Sequence, residues 1–298
     1  MDNNKAVHKL KGIPPIYLIN LDGEPHRWKA ADDMLKYWEI ENYTRISAYD
    51  GREDDLSDII KGKYPDGMTS GEVGCTTSHL KALKEFLKTD APCALIMEDD
   101  CDISTVSYWG FTWKDFYSKI PYDYDVIQLA IINPAAVYAQ MHRRFVNDFS
   151  TACYLITRHH AEKLLKFHTR KGKYKLDNGA KPRPVADDLI YNAGNTYAIP
   201  LLVYRHELGS SIHPEHVDAF HKGNYEAQTN YWAQNGSNID IVDYMNYDPY
   251  VGRTSENSSL PKDDQTWNPG HWDQAPEPES EELVEETEDN QWTPGLPR

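Results

Sequence analysis

Short apolar runs alternate with amphipathic segments through the first two thirds of the chain. Residues 16–21 form such a run, residues 25–39 repeat their apolar positions at spacings of three and four, and residues 44–48 form a second run. Runs of this length predict buried strands, and the spacing predicts an amphipathic helix. The chain therefore opens as strand–helix–strand, which predicts two parallel strands joined by a crossover helix.

The alternation continues to about residue 216. Thr69 and Glu72 have the spacing of a capping box, which predicts the start of a helix that runs to about residue 88. Further strands are predicted at 93–98, 125–130 and 152–157, and helices at 112–119, 159–168 and 184–191. Residues 196–199 and 201–204 predict a strand pair broken at Pro200. Regular patterning fades from about residue 217.

The strand at 93–98 ends in a cluster of acids. Four carboxylates follow the apolar residues 94–97 within five positions, namely Glu98, Asp99, Asp100 and Asp102. Ligands of α/β sheets bind outside the carboxyl ends of the strands. Carboxylates this close repel one another unless a cation lies among them, and hard oxygen ligands suit Mg²⁺ or Mn²⁺ bridging to phosphates. The alternative is a solvated acidic turn without function.

Composition limits the partners of the protein. The 298 residues are 40% hydrophobic, enough to bury the core of one large α/β domain or two modest ones. Residues 261–298 carry eleven acidic and two basic residues, a net charge of −9, so the −16 of the whole chain leaves −7 for residues 1–260. An acidic body argues against nucleic acid or an anionic membrane as the main partner.

Cysteine usage and hydropathy bear on the compartment. The four cysteines show no metal-binding spacing, which predicts reduced and mostly buried thiols of an intracellular protein. The first ten residues contain no apolar run of a secretory signal, and no run of eighteen apolar residues predicts a transmembrane helix. We expect a cytoplasmic protein with at most peripheral membrane contact.

Several segments, taken in chain order, resemble glycosyltransferase family 25, the lipooligosaccharide and collagen galactosyltransferase type. The matching segments are Ile-Tyr-Leu-Ile-Asn-Leu-Asp at 16–22 with Arg27, Ala-Tyr-Asp-Gly at 48–51, Thr-Ser-Gly-Glu-Val-Gly-Cys-Thr-Thr-Ser-His-Leu at 69–80, Ile-Met-Glu-Asp-Asp at 96–100, Ala-Asp-Asp-Leu-Ile-Tyr at 186–191 and Gly-Ser-Ser-Ile at 209–212. Together they span about residues 14–215.

The resemblance implies an α/β fold of the GT-A type, a Rossmann-like nucleotide-sugar-binding fold with a single main domain. On this basis residues 12–216 form the glycosyltransferase domain. Residues 217–251, which the resemblance does not cover, are expected to form a C-terminal extension that packs on it. Residues 252–298, which are acidic and contain Pro and Trp, are predicted to be a disordered tail.

The resemblance also implies transfer of a hexose, galactose or glucose, from a UDP-sugar to a hydroxyl of a glycan or a hydroxylated protein, with inversion. It implies Mn²⁺ or Mg²⁺ on Asp100 and Asp102, with Asp99 towards the ribose or the donor sugar. The implied contacts to the nucleotide sugar are Asn20, Leu21, Arg27, Asp50, Gly51, His79, Glu98 and Asp99.

Inverting displacement also needs a carboxylate that takes the proton of the acceptor hydroxyl. Asp187 and Asp188 are the other paired acids at an element end within the matched region. We predict that Asp188 is this base and that Asp187 positions the acceptor or helps to hold the metal. Complementing the dipole of the helix that they begin is the alternative role of the pair.

Two other functions are compared with transfer. An aspartyl-phosphate phosphohydrolase needs Asp-x-Asp-x-Thr/Val after its first strand, and Ile-Asn-Leu-Asp-Gly at 19–23 does not supply it. A non-catalytic glycosyltransferase-like protein that binds sugar nucleotides or acts as a scaffold would have lost the acids, which are present. Retaining chemistry stays open, because these residues do not define the stereochemistry.

Overall fold

The computed structural model describes residues 4–62, 65, 67–133, 137–176, 184–210, 212, 216–217 and 221–246. All of them belong to the compact unit Met1–Lys262. The tail predicted at 252–298 lies outside the described residues.

A mixed sheet forms the centre of this unit. Its strands in spatial order are β2 (Tyr43–Ser47), β1 (Ile16–Asn20), β3 (Cys93–Glu98), β7 (Cys153–Thr157), β5 (Val126–Ala130), β10 (Thr196–Tyr204) and β4 (Cys101–Asp102), and β6 (His142–Arg143) also pairs with β10. The pairs β1–β2, β1–β3 and β5–β10 are parallel, whereas β7 lies antiparallel between β3 and β5. The predicted parallel opening pair is confirmed, and the five strands β1, β2, β3, β5 and β10 end at the same edge.

Helices and short 3-10 turns surround the sheet. The helices are α1 (Pro25–Tyr37), α2 (Ser70–Phe86), α3 (Trp113–Tyr117), α4 (Arg158–His168), α5 (Ala186–Tyr191), α6 (Lys222–Asn235) and α7 (Ile241–Tyr244). The 3-10 turns are Val7–Leu10, Leu56–Asp58, Ser104–Tyr108, His206–Leu208 and Gly236–Asn238, and a separate hairpin joins β8 (Thr169–Arg170) to β9 (Lys173–Tyr174). The described part of the chain is therefore an α/β fold of the Rossmann-like class.

Both faces of the sheet are covered by apolar side chains. On one face Leu18 and Leu95 pack with Leu35 of α1, and on the other Ile96 packs with Leu80 and other residues of α2. Successive strand residues point to opposite faces, so a strand buried on both faces has a continuous apolar sequence. This is why the short apolar runs were recognisable as strands.

The capping box predicted at the start of α2 is confirmed. The Thr69 hydroxyl accepts from the Glu72 amide at 3.2 Å, and the Glu72 carboxylate accepts from the Thr69 amide at 2.7 Å. The box fixes the residue at which the helix begins. It thereby determines which side chains of its first turns face the end of β3.

The predicted break at Pro200 is wrong, because β10 runs without interruption from Thr196 to Tyr204. Ala198 pairs with Gln128 and Leu202 pairs with Ala130, so the register shifts between them. Pro200 lies in this irregular part, where its nitrogen, which has no hydrogen, is tolerated.

Beyond residue 217, where regular patterning fades in the sequence, the structure contains α6. Its Trp232 is buried and donates from Nε1 to the carbonyl of Pro200 at 2.8 Å. Gln228, one turn earlier, donates to the carbonyl of Ile131 at 2.8 Å. The helix is anchored by an indole and an amide rather than by an apolar stripe, so its sequence lacks the usual amphipathic pattern.

Candidate active site

A cavity opens at the carboxyl ends of β1 and β3, between the loop after β2 and the start of α2. We call it the first cavity. The eight residues that the resemblance assigned to the nucleotide sugar all line it: Asn20, Leu21, Arg27, Asp50, Gly51, His79, Glu98 and Asp99. Asp100, predicted as a metal ligand, lines it as well. Residues from four separate parts of the sequence are therefore brought to one place.

Arg27 holds the first part of the acidic strand end. Its Nε donates to Asp99 Oδ1 at 2.8 Å, and Asn20 Nδ2 donates to Asp99 Oδ2 at 2.7 Å. Burial acts to lower the pKa of Arg27, but the negative charges of Asp100 and Asp99 together outweigh this effect and raise the pKa above its ordinary value. The guanidinium therefore stays charged. Asp99 is therefore a fully hydrogen-bonded partner of Arg27 and Asn20.

Asp100 differs from Asp99 in its hydrogen bonds. Arg27 donates to Asp100 Oδ2 at 3.0 Å, whereas Oδ1 is buried and has no hydrogen-bond partner. Burial, together with the negative charges of Glu98 and Asp99, raises the pKa of Asp100 to about 7 against the opposing effect of Arg27. A carboxylate oxygen that is buried without a donor has the chemistry of a cation ligand.

A buried hydrogen-bond chain positions Glu98. His79 Nε2 lies 3.1 Å from Glu98 Oε1, and His79 Nδ1 lies 3.0 Å from the Tyr154 hydroxyl. The Thr151 hydroxyl donates to the same Glu98 oxygen at 2.6 Å. Burial acts to raise the pKa of Glu98, but the hydrogen bonds from His79 and Thr151 offset it and leave the pKa below its ordinary value. Glu98 is therefore held as a carboxylate.

Asp102 is not brought to this group. It lies in β4, whose residues pair with Tyr204 and Val203 of β10, and its Oδ1 accepts from the amide of Ser104 at 2.8 Å. Asp102 lines a different depression, beside Met34. The chain turns between Asp100 and Asp102, which separates two side chains that are close in sequence.

A second cavity, of about 380 Å³, adjoins the first. Asp187 and Asp188 at the start of α5 line it, and so do the apolar side chains of Ile132, Val146 and Phe149. The two cavities share five lining residues, namely Cys75, Glu98, Asp100, Ser210 and Ile212. They form one cleft with Glu98 and Asp100 at the junction.

The two acids of α5 differ in their partners. Asp187 Oδ1 is buried without a hydrogen-bond partner, and the backbone amide of Ser150 donates to the same carboxylate. Burial is the main cause that raises the pKa of Asp187, against the opposing charge of Arg144. Asp188 is buried, and its Oδ1 accepts from Asn192 Nδ2 at 3.2 Å. Asp187 thus has an oxygen available to a ligand.

The loop that contacts Asp187 is fixed by a residue that the sequence analysis missed. Gln128, fully buried in β5, donates from Nε2 to the carbonyls of Asp148, Phe149 and Ser150 at 2.9–3.1 Å. Ser150 has a φ of +95°, which a residue with a side chain rarely adopts. Strained backbone of this kind is concentrated at functional sites. A polar Gln128 within an apolar strand was the available signal.

The floor of the first cavity depends on two glycines in contact. A Cβ at Gly51 would lie 1.9 Å from the carbonyl oxygen of Ser70, and a Cβ at Gly74 would lie 2.5 Å from the nitrogen of Gly51. The loop at 49–51 therefore packs on α2 backbone to backbone. Only glycine permits this approach.

Arg27 also contacts the segment that follows β10. Its Nη1 donates to the carbonyls of Leu208 and Gly209, each at 3.2 Å. The segment after β10 is thereby tied to the acidic strand end. This segment contributes Ser210 and Ile212 to both cavities.

No helix in the described part of the chain is both long and apolar enough to cross a membrane.

Comparison with known proteins gives the family. A search of curated proteins finds no match to the chain. The profile described as "Glycosyltransferase family 25 (LPS biosynthesis protein)" matches residues 13–178, more than half of the chain. With the strand-end acids and the cleft described above, this match shows that the chain belongs to glycosyltransferase family 25.

Proposed function

We propose that the protein is a metal-dependent hexosyltransferase with a GT-A type fold. It transfers galactose or glucose from a UDP-sugar to a hydroxyl of a glycan or a hydroxylated protein, with inversion. The observation that carries this proposal is the junction of the two cavities at Glu98 and Asp100. One cavity contains the residues suited to a nucleotide sugar, and the other contains an acid suited to deprotonate an acceptor.

The first cavity is the donor site. Asn20, Leu21 and Arg27 border the nucleotide, and Asp50 and Gly51 lie on the uracil side. Both oxygens of Asp99 are already hydrogen bonded within the protein. Its task in this proposal is to orient Arg27 and Asn20 rather than to contact the ribose.

The residues present fit a hard divalent cation. Asp100 offers a buried oxygen without a donor, and Glu98 beside it is held as a carboxylate. These two residues would hold Mn²⁺ or Mg²⁺. When bound, the ion neutralises charge that develops on the diphosphate leaving group. Asp102 has no part in this proposal, because it lines a different depression.

The second cavity is the acceptor site, and Asp187 is the general base. Asp187 Oδ1 takes the proton of the acceptor hydroxyl as the oxygen attacks the anomeric carbon and the bond from that carbon to the diphosphate breaks. A raised pKa suits a base that must hold a proton near neutral pH. We therefore assign the base to Asp187 and a positioning task to Asp188, which Asn192 orients.

The lining of the second cavity suits a sugar or a hydroxylated side chain. Its volume of about 380 Å³ is within the range of small-molecule sites. Phe149 offers a ring face to the apolar side of a sugar, while Ser210 and His206 offer polar contacts. The cavity thus combines one apolar wall with the acids of α5.

A donor screen tests the proposal. The full chain is incubated with Mn²⁺, a panel of nucleotide sugars and simple glycan acceptors, and the release of nucleoside diphosphate is measured. We expect UDP-galactose or UDP-glucose to release UDP, EDTA to stop the release, and NMR of the product to show an inverted anomeric centre. Release from no nucleotide sugar would reject the proposal. Tight UDP binding without turnover would favour a non-catalytic sugar-nucleotide-binding protein.

A further inference from the structure

Three side chains of different chemistry meet at the junction of the two cavities. Cys75 and His79 are four residues apart on α2 and therefore lie on one face of the helix. Glu98 at the end of β3 faces them. One potential ligand atom from each of Cys75, His79 and Glu98 lies within 4.8 Å of the other two. All three side chains line the first cavity.

This set of donor atoms differs from the one at Asp100. A thiolate sulfur and an imidazole nitrogen with one carboxylate oxygen are the ligands of zinc sites, whereas Mn²⁺ and Mg²⁺ prefer oxygen alone. A dication with one thiolate and one carboxylate leaves no net charge, which reduces the cost of holding the ion in a partly buried place. Three protein ligands also leave a fourth position for water, as in open zinc sites.

We propose that Cys75, His79 and Glu98 form a second metal site, selective for a soft divalent cation such as Zn²⁺, beside the oxygen site at Asp100. Coordination replaces the proton on the Cys75 thiol, which passes to solvent. It also requires Nε2 of His79 to be free of a proton, so that the ring N–H lies on Nδ1 and donates a hydrogen bond to the Tyr154 hydroxyl, 3.0 Å away.

The surroundings of the three ligands are already arranged for this task. A metal-binding histidine usually donates its other N–H to a fixed partner, and Tyr154 is buried and in place to receive it. Thr151 donates to Glu98 at 2.6 Å and orients the carboxylate. The two outer partners lie on β7 and just before it, so a rigid element supports the ligands.

The site would regulate sugar transfer, and this consequence rests on the proposed function. A soft cation on Cys75 and His79 takes Glu98 away from the neighbouring oxygen site. Cys75, His79 and Glu98 all line the cavity assigned to the nucleotide sugar, so an ion on these three residues would border the donor. Zn²⁺ is therefore an inhibitor that competes with the hard cation and the donor together.

Binding is tested on the full chain by titration with Co²⁺, a spectroscopic substitute for Zn²⁺. We expect a thiolate-to-cobalt charge-transfer band that saturates at one ion per chain and disappears when Zn²⁺ is added. Cys75→Ser and Cys75→Ala lose the band, whereas Cys93→Ser keeps it, because Cys93 lies at the opposite end of β3. Tyr154→Phe binds about tenfold more weakly, as expected for loss of an outer partner.

The outcomes separate this site from the proposed function. The site is rejected if wild-type protein shows no charge-transfer band, or if the band persists in both Cys75 variants. Circular dichroism and the unfolding temperature establish that each variant is folded. In the activity assay, micromolar Zn²⁺ inhibits the wild type in excess Mn²⁺ and removes a smaller fraction of the activity of Cys75→Ser. If the protein binds Co²⁺ through Cys75 but transfers no sugar, the proposed metal site is supported and the proposed transferase function is rejected.

Discussion

Asp99 and Asp100 share Arg27 as a donor, but only Asp99 has both carboxylate oxygens hydrogen bonded. Asp99 accepts from Arg27 and Asn20, whereas Asp100 Oδ1 is buried without a donor. The charge of Asp99 therefore stabilises the fold, and the charge of Asp100 opposes it. In the proposed function, the surroundings of these adjacent acids give Asp99 a structural role and Asp100 a role in ligand binding.

Substitution of each acid by Asn separates these roles. Asp99→Asn removes one partner of a buried ion pair and should lower the free energy of unfolding by about 3 kcal/mol. Asp100→Asn removes a charge that burial and Glu98 already disfavour, so the stability should be unchanged or higher. Urea unfolding of both variants without added metal measures the difference. Equal losses would show that Asp100 also stabilises the fold.

Asp187 and Asp188 allow a similar comparison for catalysis. Asp187→Asn should reduce kcat about 10³-fold, which is typical for loss of a general base, with little change in affinity for UDP. Asp188→Asn is the matched control, since its carboxylate is bound to Asn192, and it should retain at least a tenth of the activity. Steady-state kinetics with saturating acceptor provides both values. A larger loss of kcat in Asp188→Asn than in Asp187→Asn would show that Asp188, not Asp187, is the general base.

At the scale of elements, the regular patterns predicted most of the fold. Apolar runs identified β1, β3 and β5, and the Thr69–Glu72 spacing located the start of α2. The position of β7, antiparallel between β3 and β5, had no local signal, because its sequence specifies a strand but not its partners. The same holds for α6, whose anchor Trp232 binds a carbonyl 32 residues earlier.

The contact between the loop at 49–51 and α2 makes a prediction at this scale. Gly74→Ala places a methyl group where only 2.5 Å separates it from the nitrogen of Gly51, so the loop must move. We expect a loss of about 2 kcal/mol in stability, typical of overpacking, and weaker binding of UDP. Thermal unfolding and calorimetry measure the two effects.

Gly71→Ala is the control from the same helix, and Gly71 lines the first cavity. Its new methyl group would meet its nearest neighbour at 3.8 Å, an ordinary contact. Alanine also favours a helix over glycine by up to about 1 kcal/mol, so this variant should be as stable as the wild type or more so. If Gly74→Ala behaves like Gly71→Ala, the close packing of the loop does not shape the cavity.

At the scale of the whole molecule, the grouping of the candidate-site residues was predictable where they follow strand ends. Asn20 and Glu98 end β1 and β3, so the shared edge of the sheet brings them together. The support of Glu98 by Thr151 crosses 53 positions of sequence, which no spacing indicates. Conversely, Asp102 is only two residues from Asp100 in sequence but does not join it in the first cavity. The chain turns into β4 between the two residues.

Charge in the assembled cleft leads to the last prediction. Acids outnumber cationic side chains among its described lining residues, with Asp50, Glu72, Glu98, Asp99, Asp100, Asp187 and Asp188 against Arg27, Arg52 and Arg205. A diphosphate entering this cleft without a cation meets net repulsion. UDP should therefore bind at least about 100-fold more tightly with Mn²⁺ than in EDTA, a coupling of about 2.7 kcal/mol.

The coupling is reciprocal, so UDP should raise the affinity for Mn²⁺ by the same factor. Asp100→Asn removes the carboxylate with the free oxygen and should reduce the coupling to less than about tenfold, or about 1.4 kcal/mol. Asp188→Asn removes one negative charge from the same cleft but no free oxygen, and it should keep the coupling. Calorimetric titration of UDP with and without Mn²⁺ gives the factor for each protein. Equal UDP affinity in Mn²⁺ and EDTA would contradict a metal–diphosphate site at Asp100, because charge neutralisation would then come from the protein alone.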